Sequence, residues 1–210
     1  MTTIAVVNLK GGSGKTTTTA FLLHAFQEAG LDVFGVDADG ENESLVGWQA
    51  AGDWPIRVAA LAKPSLHLRI ADITPPGIDV TVIDTPPLKE RHDIVEGAVM
   101  AATHVLITMA PTPIEYDRLP AVRELVDKVR ARRPDDPLAL AVLLNRCAPR
   151  AASTGVYRSL ITDDGITVLD AQINRREVFA QAYGDPIRNA LATPYGEAAT
   201  ELLDLKATAA

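Results

Sequence analysis

Residues 9–17 read Leu9-Lys10-Gly11-Gly12-Ser13-Gly14-Lys15-Thr16-Thr17, and the rest of the chain is arranged around this stretch. It stands between the apolar run Ile4-Ala5-Val6-Val7 and the apolar residues Phe21-Leu22-Leu23 and Ala25-Phe26, so it predicts a glycine-rich turn between a buried strand and a helix. In such a turn the glycines let backbone N–H groups converge on an anion, and the helix dipole and Lys15 add positive charge. The hydroxyl of Thr16 can then reach Mg²⁺. The stretch predicts a phosphate site; the alternative is a flexible surface turn with solvated charges.

The spacing of this turn departs from the common pattern for phosphate loops. That pattern has a glycine five residues before Gly14, where this chain has Leu9, and a second lysine, Lys10, stands five residues before Lys15. Lys15, Mg²⁺ and the backbone amides already serve the phosphates of the chain's own site. Lys10 is therefore expected to point outward and complete the site of a neighbouring subunit, so that hydrolysis would depend on dimerisation.

Bulk composition limits the class of protein. A length of 210 residues predicts a single domain over residues 1–210, large enough to bury about 70% of the surface of the unfolded chain. The net charge of −7 argues against a globally basic nucleic-acid binder but permits a local basic patch. The single cysteine, Cys147, excludes a disulfide framework. With no targeting segment or bilayer-spanning window visible, the chain is expected to be soluble and cytoplasmic.

Strand and helix patterns alternate along the whole chain, and the strands read as continuous apolar runs. This predicts an α/β fold: a doubly wound, mostly parallel sheet with helices on both faces, as in P-loop NTPases. Towards the C-terminal end the pattern predicts one long helix over residues 115–133, a short last strand over residues 167–169, and helices over residues 176–183 and 195–205.

Polar side chains follow several of the predicted strands, where the carboxyl ends of a parallel sheet meet. Asp84 is expected to bind Mg²⁺ near Thr16; the alternative is a cap of the following helix. Asp37 is expected to be structural, and Asp39, further out in its loop, to orient the water that attacks the γ-phosphate. The alternative for this pair is a solvated acidic turn. Asn145 ends a later strand at the same edge.

Three motifs together resemble the nucleotide motifs of the ParA/MinD group of deviant Walker A P-loop ATPases. They are Lys-Gly-Gly-Ser-Gly-Lys-Thr-Thr from Lys10, Val-Asp-Ala-Asp at 36–39 and Val-Ile-Asp-Thr-Pro-Pro at 82–87. The similarity extends through residues 110–113 and 144–146 to the C-terminal segment, and the chain's brevity is closest to the small plasmid-partition ParA-type proteins.

The resemblance implies an ATPase with ATP and Mg²⁺ as cofactors. ATP binding would give a sandwich homodimer in which Lys10 touches the partner's phosphates, and a ParB-like or other partner protein would stimulate hydrolysis. The dimer would bind DNA non-specifically, associate with the nucleoid and position a cargo, with no membrane involved. The catalytic residues would be Lys10, Lys15 and Asp39, the metal residues Thr16 and Asp84, and the nucleotide-binding residues Gly11, Gly12, Ser13, Gly14, Lys15, Thr16, Thr17 and Asn145.

Basic residues in the C-terminal part are the candidates for DNA contact. Arg175 and Arg176 stand where the family's DNA-binding segment should be, and salt-sensitive phosphate contacts would suit them. Solvated surface arginines are the alternative. Further candidates are Arg146, Arg150, Arg158 and Arg188.

One departure from the family pattern lies next to the site. Many members have Pro-Gln after the second aspartate, where this chain has Gly40-Glu41; the glycine is expected to make the loop freer and the glutamate to add charge. Two other functions stay open: a small P-loop ATP-dependent biosynthetic ligase, and an accessory ATPase like those associated with T-DNA transfer. The cargo and the stimulating partner are not encoded in any motif.

Overall fold

A computed structural model describes residues 1–206, which form seven strands in one parallel sheet. The sheet order is β3-β2-β4-β1-β5-β6-β7, with every neighbouring pair parallel. The predicted doubly wound parallel fold is confirmed. The last four residues of the predicted domain lie outside the described range. The strands are β1 (Thr2–Val7), β2 (Val33–Asp37), β3 (Arg57–Ala60), β4 (Val80–Asp84), β5 (His104–Met109), β6 (Ala139–Cys147) and β7 (Thr167–Asn174).

Helices cover both faces of the sheet and bury one apolar cluster on each. None of the helices within residues 1–206 is long and apolar enough to cross a membrane. The helices are α1 (Lys15–Glu28), α2 (Ser44–Ala51), α3 (Leu66–Ile73), α4 (His92–Ala101), α5 (Pro113–Tyr116), α6 (Leu119–Arg132), α7 (Ala152–Asp163), α8 (Glu177–Ala180) and α9 (Pro194–Asp204). The first apolar cluster lies under α1, α2 and α9, and the second under α3, α4, α6 and α7.

The strand order places the loop after β1 at the switch point of the sheet. β1 lies between β4 and β5, so the chain leaves the centre towards one edge after β1 and towards the other after β4. In open parallel sheets a crevice forms outside the carboxyl ends of the strands at such a point. The carboxyl ends of β2, β4 and β6, which carry the polar residues singled out in the sequence, open into the same region.

The prediction of one long helix over residues 115–133 is wrong. The structure has a single turn, α5, followed by a separate helix, α6. Pro120 lies in the first turn of α6, and proline is tolerated there because its missing N–H would be unpaired anyway. Inside a continuous helix the same residue would lose a hydrogen bond and clash with the preceding turn, so the helix restarts at Leu119.

The predicted limits near the C-terminal end were also inaccurate. β7 extends to Asn174 rather than ending at residue 169, and it stays paired with β6 through irregular register. The second half of β7 alternates buried and more exposed residues, as an edge strand does. A search for a continuous apolar run therefore finds only the first residues of the strand. The helix predicted over residues 176–183 is only the short α8, whereas α9 agrees with the prediction.

Candidate nucleotide site

The glycine-rich turn forms the loop between β1 and α1, as predicted. Gly12 and Gly14 have φ angles of 73° and 88°, in the left-handed region that favours glycine. A Cβ at Gly14 would also lie 2.7 Å from the side-chain nitrogen of Asn145. Both conformation and space therefore require glycine at position 14, where α1 begins and its first N–H groups face the crevice.

The two lysines of the loop have different surroundings. Lys15 is buried, and its ammonium donates to the backbone carbonyl of Lys10 at 3.3 Å. Burial lowers the pKa of Lys15, while the carboxylates of Asp84, Asp39 and two glutamates oppose that shift. Lys10 is exposed, and its ammonium has no hydrogen bond or ion pair within residues 1–206. Lys15 therefore points into the loop, whereas Lys10 is exposed at its surface.

Asp84 meets Thr16 at the end of β4. The Thr16 hydroxyl donates to Oδ2 of Asp84 at 2.6 Å, and Oδ1 has no hydrogen-bond partner among the described residues. Burial raises the pKa of Asp84 to about 7, an effect that the hydrogen bond from Thr16 only partly offsets. The following helix, α4, has no side-chain cap, which removes the alternative that Asp84 caps it.

This pair fits a hard divalent cation. Mg²⁺ prefers oxygen ligands, and in nucleotide sites it is held by one or two protein oxygens together with phosphate oxygens and water. A buried carboxylate oxygen without a donor, beside a hydroxyl at the start of α1, has that chemistry. Within residues 1–206 there is no cluster of three or more His, Cys, Asp or Glu side chains that could hold a metal without the phosphates.

The two aspartates after β2 separate into different environments. Asp37 is buried, and its Oδ2 accepts the backbone N–H groups of Leu45 and Val46 at 2.9 and 3.1 Å, at the start of α2. Its Oδ1 accepts the N–H of Asp39 at 3.0 Å. Asp37 therefore fixes both α2 and the loop that carries Asp39. Asp39 is partly exposed and accepts from the side-chain amide of Asn42 at 3.0 Å.

Gly40 packs closely in this loop rather than only loosening it. A Cβ at position 40 would lie 2.6 Å from the Cβ of Ala62, in the segment after β3. Glycine is needed here because the loop approaches that segment closely. The neighbouring Glu41 lies 3.9 Å from Arg91, an exposed pair that contributes little stability.

Asn145 and Arg146 close the loop from the side of β6. Asn145 is 3% exposed, and its amide donates to the backbone carbonyl of Ser13 at 3.3 Å. Arg146 has a left-handed backbone, with φ of 56°, and its guanidinium donates to the carbonyl of Gly12. Arg146, first considered for DNA contact, is thus attached to the phosphate loop.

These elements surround one cavity of about 640 Å³, within the size range of small-molecule sites. It combines the phosphate loop with Asp39 and Asn145 and extends to Phe179 and Tyr195 on the C-terminal side. Arg175 and Arg176, the candidates for DNA contact, are exposed at the rim of the same cavity. The structure therefore brings together the residues predicted for phosphate, metal and water, and adds a C-terminal wall that no motif indicated.

Two further polar residues, Asn8 and Glu115, lie beside the phosphate loop, and no motif indicates them. Asn8 directly follows β1, is 2% exposed, and forms hydrogen bonds with the backbone N–H of Lys10 and the carboxylate of Glu115. A buried polar residue directly after an apolar strand is the signal that singled out Asp84 and Asn145, and it would have found Asn8 too. Glu115 lies in α5 and has no comparable signal.

The remaining arginine candidates divide into two groups. Arg158 donates to backbone carbonyls of Leu169 and Asp170, a structural role at β7. The side chains of the second group have no hydrogen bond or ion pair within the described part of the chain and stay available for an anion; they are Arg150, Arg175, Arg176 and Arg188.

A family model described as the CobQ/CobB/MinD/ParA nucleotide binding domain matches residues 4–187. The chain belongs to this family. The matched residues run from β1 to the segment beyond α8 and include all of the loop, metal-site and Asn145 positions.

Two curated relatives of this family member span most of its length. It is 28% identical over 184 residues to "Maintenance of carboxysome distribution protein A" of Halothiobacillus neapolitanus, covering 86% of this chain and 82% of the relative. It is 27% identical over 188 residues to "Protein ParA" of Rhizobium radiobacter, covering 87% of this chain and 82% of the relative. The recognition of a ParA/MinD-type protein is confirmed.

A solved structure shares the fold at lower identity. Cobyrinic acid a,c-diamide synthase from Mycobacterium smegmatis, solved with a bound ATP analogue and magnesium, superposes with a TM-score of 0.69 and 21% identity, covering 88% of this chain and 91% of that one. This likeness shows a shared architecture.

Proposed function

We propose that this family member is an ATP-hydrolysing switch that positions a cargo on DNA. ATP joins two copies into a dimer, the dimer binds DNA without sequence preference, and hydrolysis stimulated by a partner protein releases it. The cargo is a plasmid or a large protein assembly, since one curated relative is named for carboxysome distribution and the other is a ParA.

The observation that carries the proposal is the contrast between Lys15 and Lys10. Lys15 is buried and directed into the loop, and it already supplies the positive charge that the chain's own phosphates need. Lys10, in the same loop, is exposed, and its ammonium has no hydrogen bond or ion pair within residues 1–206. A second copy facing this edge would offer phosphates to that ammonium, and the site would then be complete only in the dimer.

Within one subunit each residue has a distinct role in this proposal. The backbone N–H groups of residues 11–17 and Lys15 bind the phosphates, and Asn145 holds the nucleotide from the side of β6. Thr16 and Asp84 would hold Mg²⁺, which neutralises phosphate charge when bound. Asp39 orients the attacking water, because its carboxylate lines the cavity and is steadied by Asn42.

DNA binding rests on exposed arginines rather than on net charge. Arg175 and Arg176 are exposed at the same edge of the sheet as the nucleotide cavity. Phosphate contacts from such residues give affinity that falls steeply with salt and does not depend on sequence. Because the chain carries a net charge of −7, we expect DNA binding only where these arginines are brought together, as in a dimer.

Size-exclusion chromatography and DNA retention, each with ATP, ADP or no nucleotide, test the proposal. We expect the protein to dimerise and retain DNA with ATP but not with ADP or without nucleotide. ATP turnover per subunit should rise with protein concentration. Lys10→Ala should keep ADP affinity while weakening ATP-driven association and turnover. Lys63→Ala, an exposed lysine outside the phosphate loop, is the control. A monomer indifferent to ATP that never retains DNA would overturn the proposal, and equal loss of ADP binding in Lys10→Ala would place Lys10 in its own site.

The second candidate is an ATP-dependent biosynthetic ligase. The observation that favours it is the structural likeness to cobyrinic acid a,c-diamide synthase. A ligase would use ATP only with a metabolite present and would not need DNA or ATP-driven association. The same chromatography therefore separates the two functions.

A further inference from the structure

A buried polar group lies directly beneath Lys10. The side-chain oxygen of Asn8 accepts the backbone N–H of Lys10 at 3.1 Å, and its amide nitrogen donates to the carbonyl of Thr108 in β5. Asn8 is 2% exposed, so these bonds are shielded from water. The turn that leads into Lys10 is thus tied to the neighbouring strand by a single side chain.

Glu115 holds that asparagine from α5. The amide of Asn8 also donates to Oε2 of Glu115 at 3.2 Å, and Arg118 donates to Oε1 of the same carboxylate at 2.7 Å. The side chains of Glu115 and Arg118 are only 17% and 16% exposed. Hydrogen bonds to a charged group in such surroundings are stronger than neutral ones, so α5 fixes the orientation of Asn8.

Both polar backbone groups of Lys10 are therefore held. Asn8 binds the N–H, and the ammonium of Lys15 binds the carbonyl at 3.3 Å. Holding the backbone at these two points sets the direction of the Cα–Cβ bond of Lys10, whose side chain is exposed. The flexible four-carbon stem of lysine then starts from a fixed point and direction.

We propose that Asn8 and Glu115 are positioning residues that set the backbone of Lys10, so that its ammonium reaches the phosphates bound by a second copy of this chain. The proposal rests on the proposed dimeric ATPase. It also makes α5 part of the site, since a shift of α5 would remove the Glu115 partner of Asn8.

Amide hydrogen exchange of the nucleotide-free protein tests the positioning directly, without reference to hydrolysis. Glu115→Ala should speed exchange of the Lys10 amide about 3- to 10-fold, because Asn8 loses a partner of its own. Glu115→Gln keeps an oxygen facing Asn8 and should restore most of the protection. Glu124→Ala, an exposed glutamate on α6, is the matched control and should leave this exchange unchanged.

A double-mutant cycle tests whether Glu115 acts through Lys10. Glu115→Ala should lower turnover at saturating ATP by about 3- to 10-fold while ADP affinity stays the same. In the Lys10→Ala background the same change should have less than about 2-fold effect, because the side chain that Glu115 positions is gone.

The outcomes separate this inference from the proposed function. Unchanged Lys10 exchange in Glu115→Ala, an equal loss in the Lys10→Ala background, or a parallel loss of ADP affinity would each overturn the positioning role. Suppose instead that Glu115→Ala speeds Lys10 exchange, but the wild-type protein neither associates nor hydrolyses ATP. That result would support the link from Glu115 to Lys10. It would overturn the dimeric ATPase and the proposed reach of Lys10 to a second copy.

Discussion

Replacing Asp84 with asparagine should stabilise the nucleotide-free protein, although it removes a residue assigned to the site. The ordinary pKa of 3.8 means that the unfolded carboxylate is ionised above pH 5, whereas burial raises the pKa of Asp84 to about 7 in the folded state. Ionisation therefore favours the unfolded chain, and wild-type stability falls as pH rises from the unfolded pKa to the folded one. The linkage relation gives a cost of about 2 kcal/mol at pH 5.5 and about 4 kcal/mol at pH 8. The Asp84→Asn variant would avoid this cost, and its amide oxygen can still accept from Thr16.

Thermal unfolding at the two pH values measures the effect. For a chain of this size 1 kcal/mol shifts Tm by about 2–4 °C, so the advantage of Asp84→Asn should be about 4–8 °C larger at pH 8 than at pH 5.5. Asp135→Asn, an exposed aspartate between α6 and β6, should show no such difference. Adding ATP with Mg²⁺ should stabilise wild type more than Asp84→Asn. A gain that does not depend on pH, or a loss of stability at both values, would contradict the role given to burial.

Two further substitutions test the loop that follows β2. Gly40→Ala places a Cβ 2.6 Å from the Cβ of Ala62, so the loop must shift and displace Asp39. We expect turnover to fall about 10-fold or more while ADP affinity is retained. Equal turnover in Gly40→Ala and wild type would count against the close approach. Asp37→Asn replaces a carboxylate oxygen that accepts from the backbone N–H groups of α2 with an amide group that cannot accept as many. Urea unfolding should show a free energy of unfolding lower by about 1–3 kcal/mol. An unchanged free energy of unfolding would mean that Asp37 does not anchor α2.

The phosphate loop was accessible from sequence because its chemistry is local. The glycines at positions 12 and 14 and the lysine at position 15 act through backbone conformation and nearest neighbours, and an apolar strand and a helix flank them on either side. Asp84 and Asn145 were found for a related reason. A polar residue directly after a buried apolar run has few roles other than facing a site.

Other features depend on contacts between distant segments. The role of Glu115 exists only because α5 comes beside the end of β1, a separation of 107 residues, and nothing in its local pattern marks it. The same holds for Gly40, whose close neighbour Ala62 lies beyond α2 and β3. Pro120 is a sequence signal for the start of a new helix, but the helical apolar pattern continues across it.

The parallel α/β architecture and the phosphate site could be predicted from sequence alone, because strand hydrophobicity and glycine conformation are properties of short segments. Two other outcomes required the folded chain: the hydrogen-bond partners that distinguish Asp37 from Asp39, and the buried asparagine and glutamate that hold Lys10. These outcomes depend on burial and hydrogen-bond partners, which arise only when the ends of β1, β2 and β5 come together with α2 and α5.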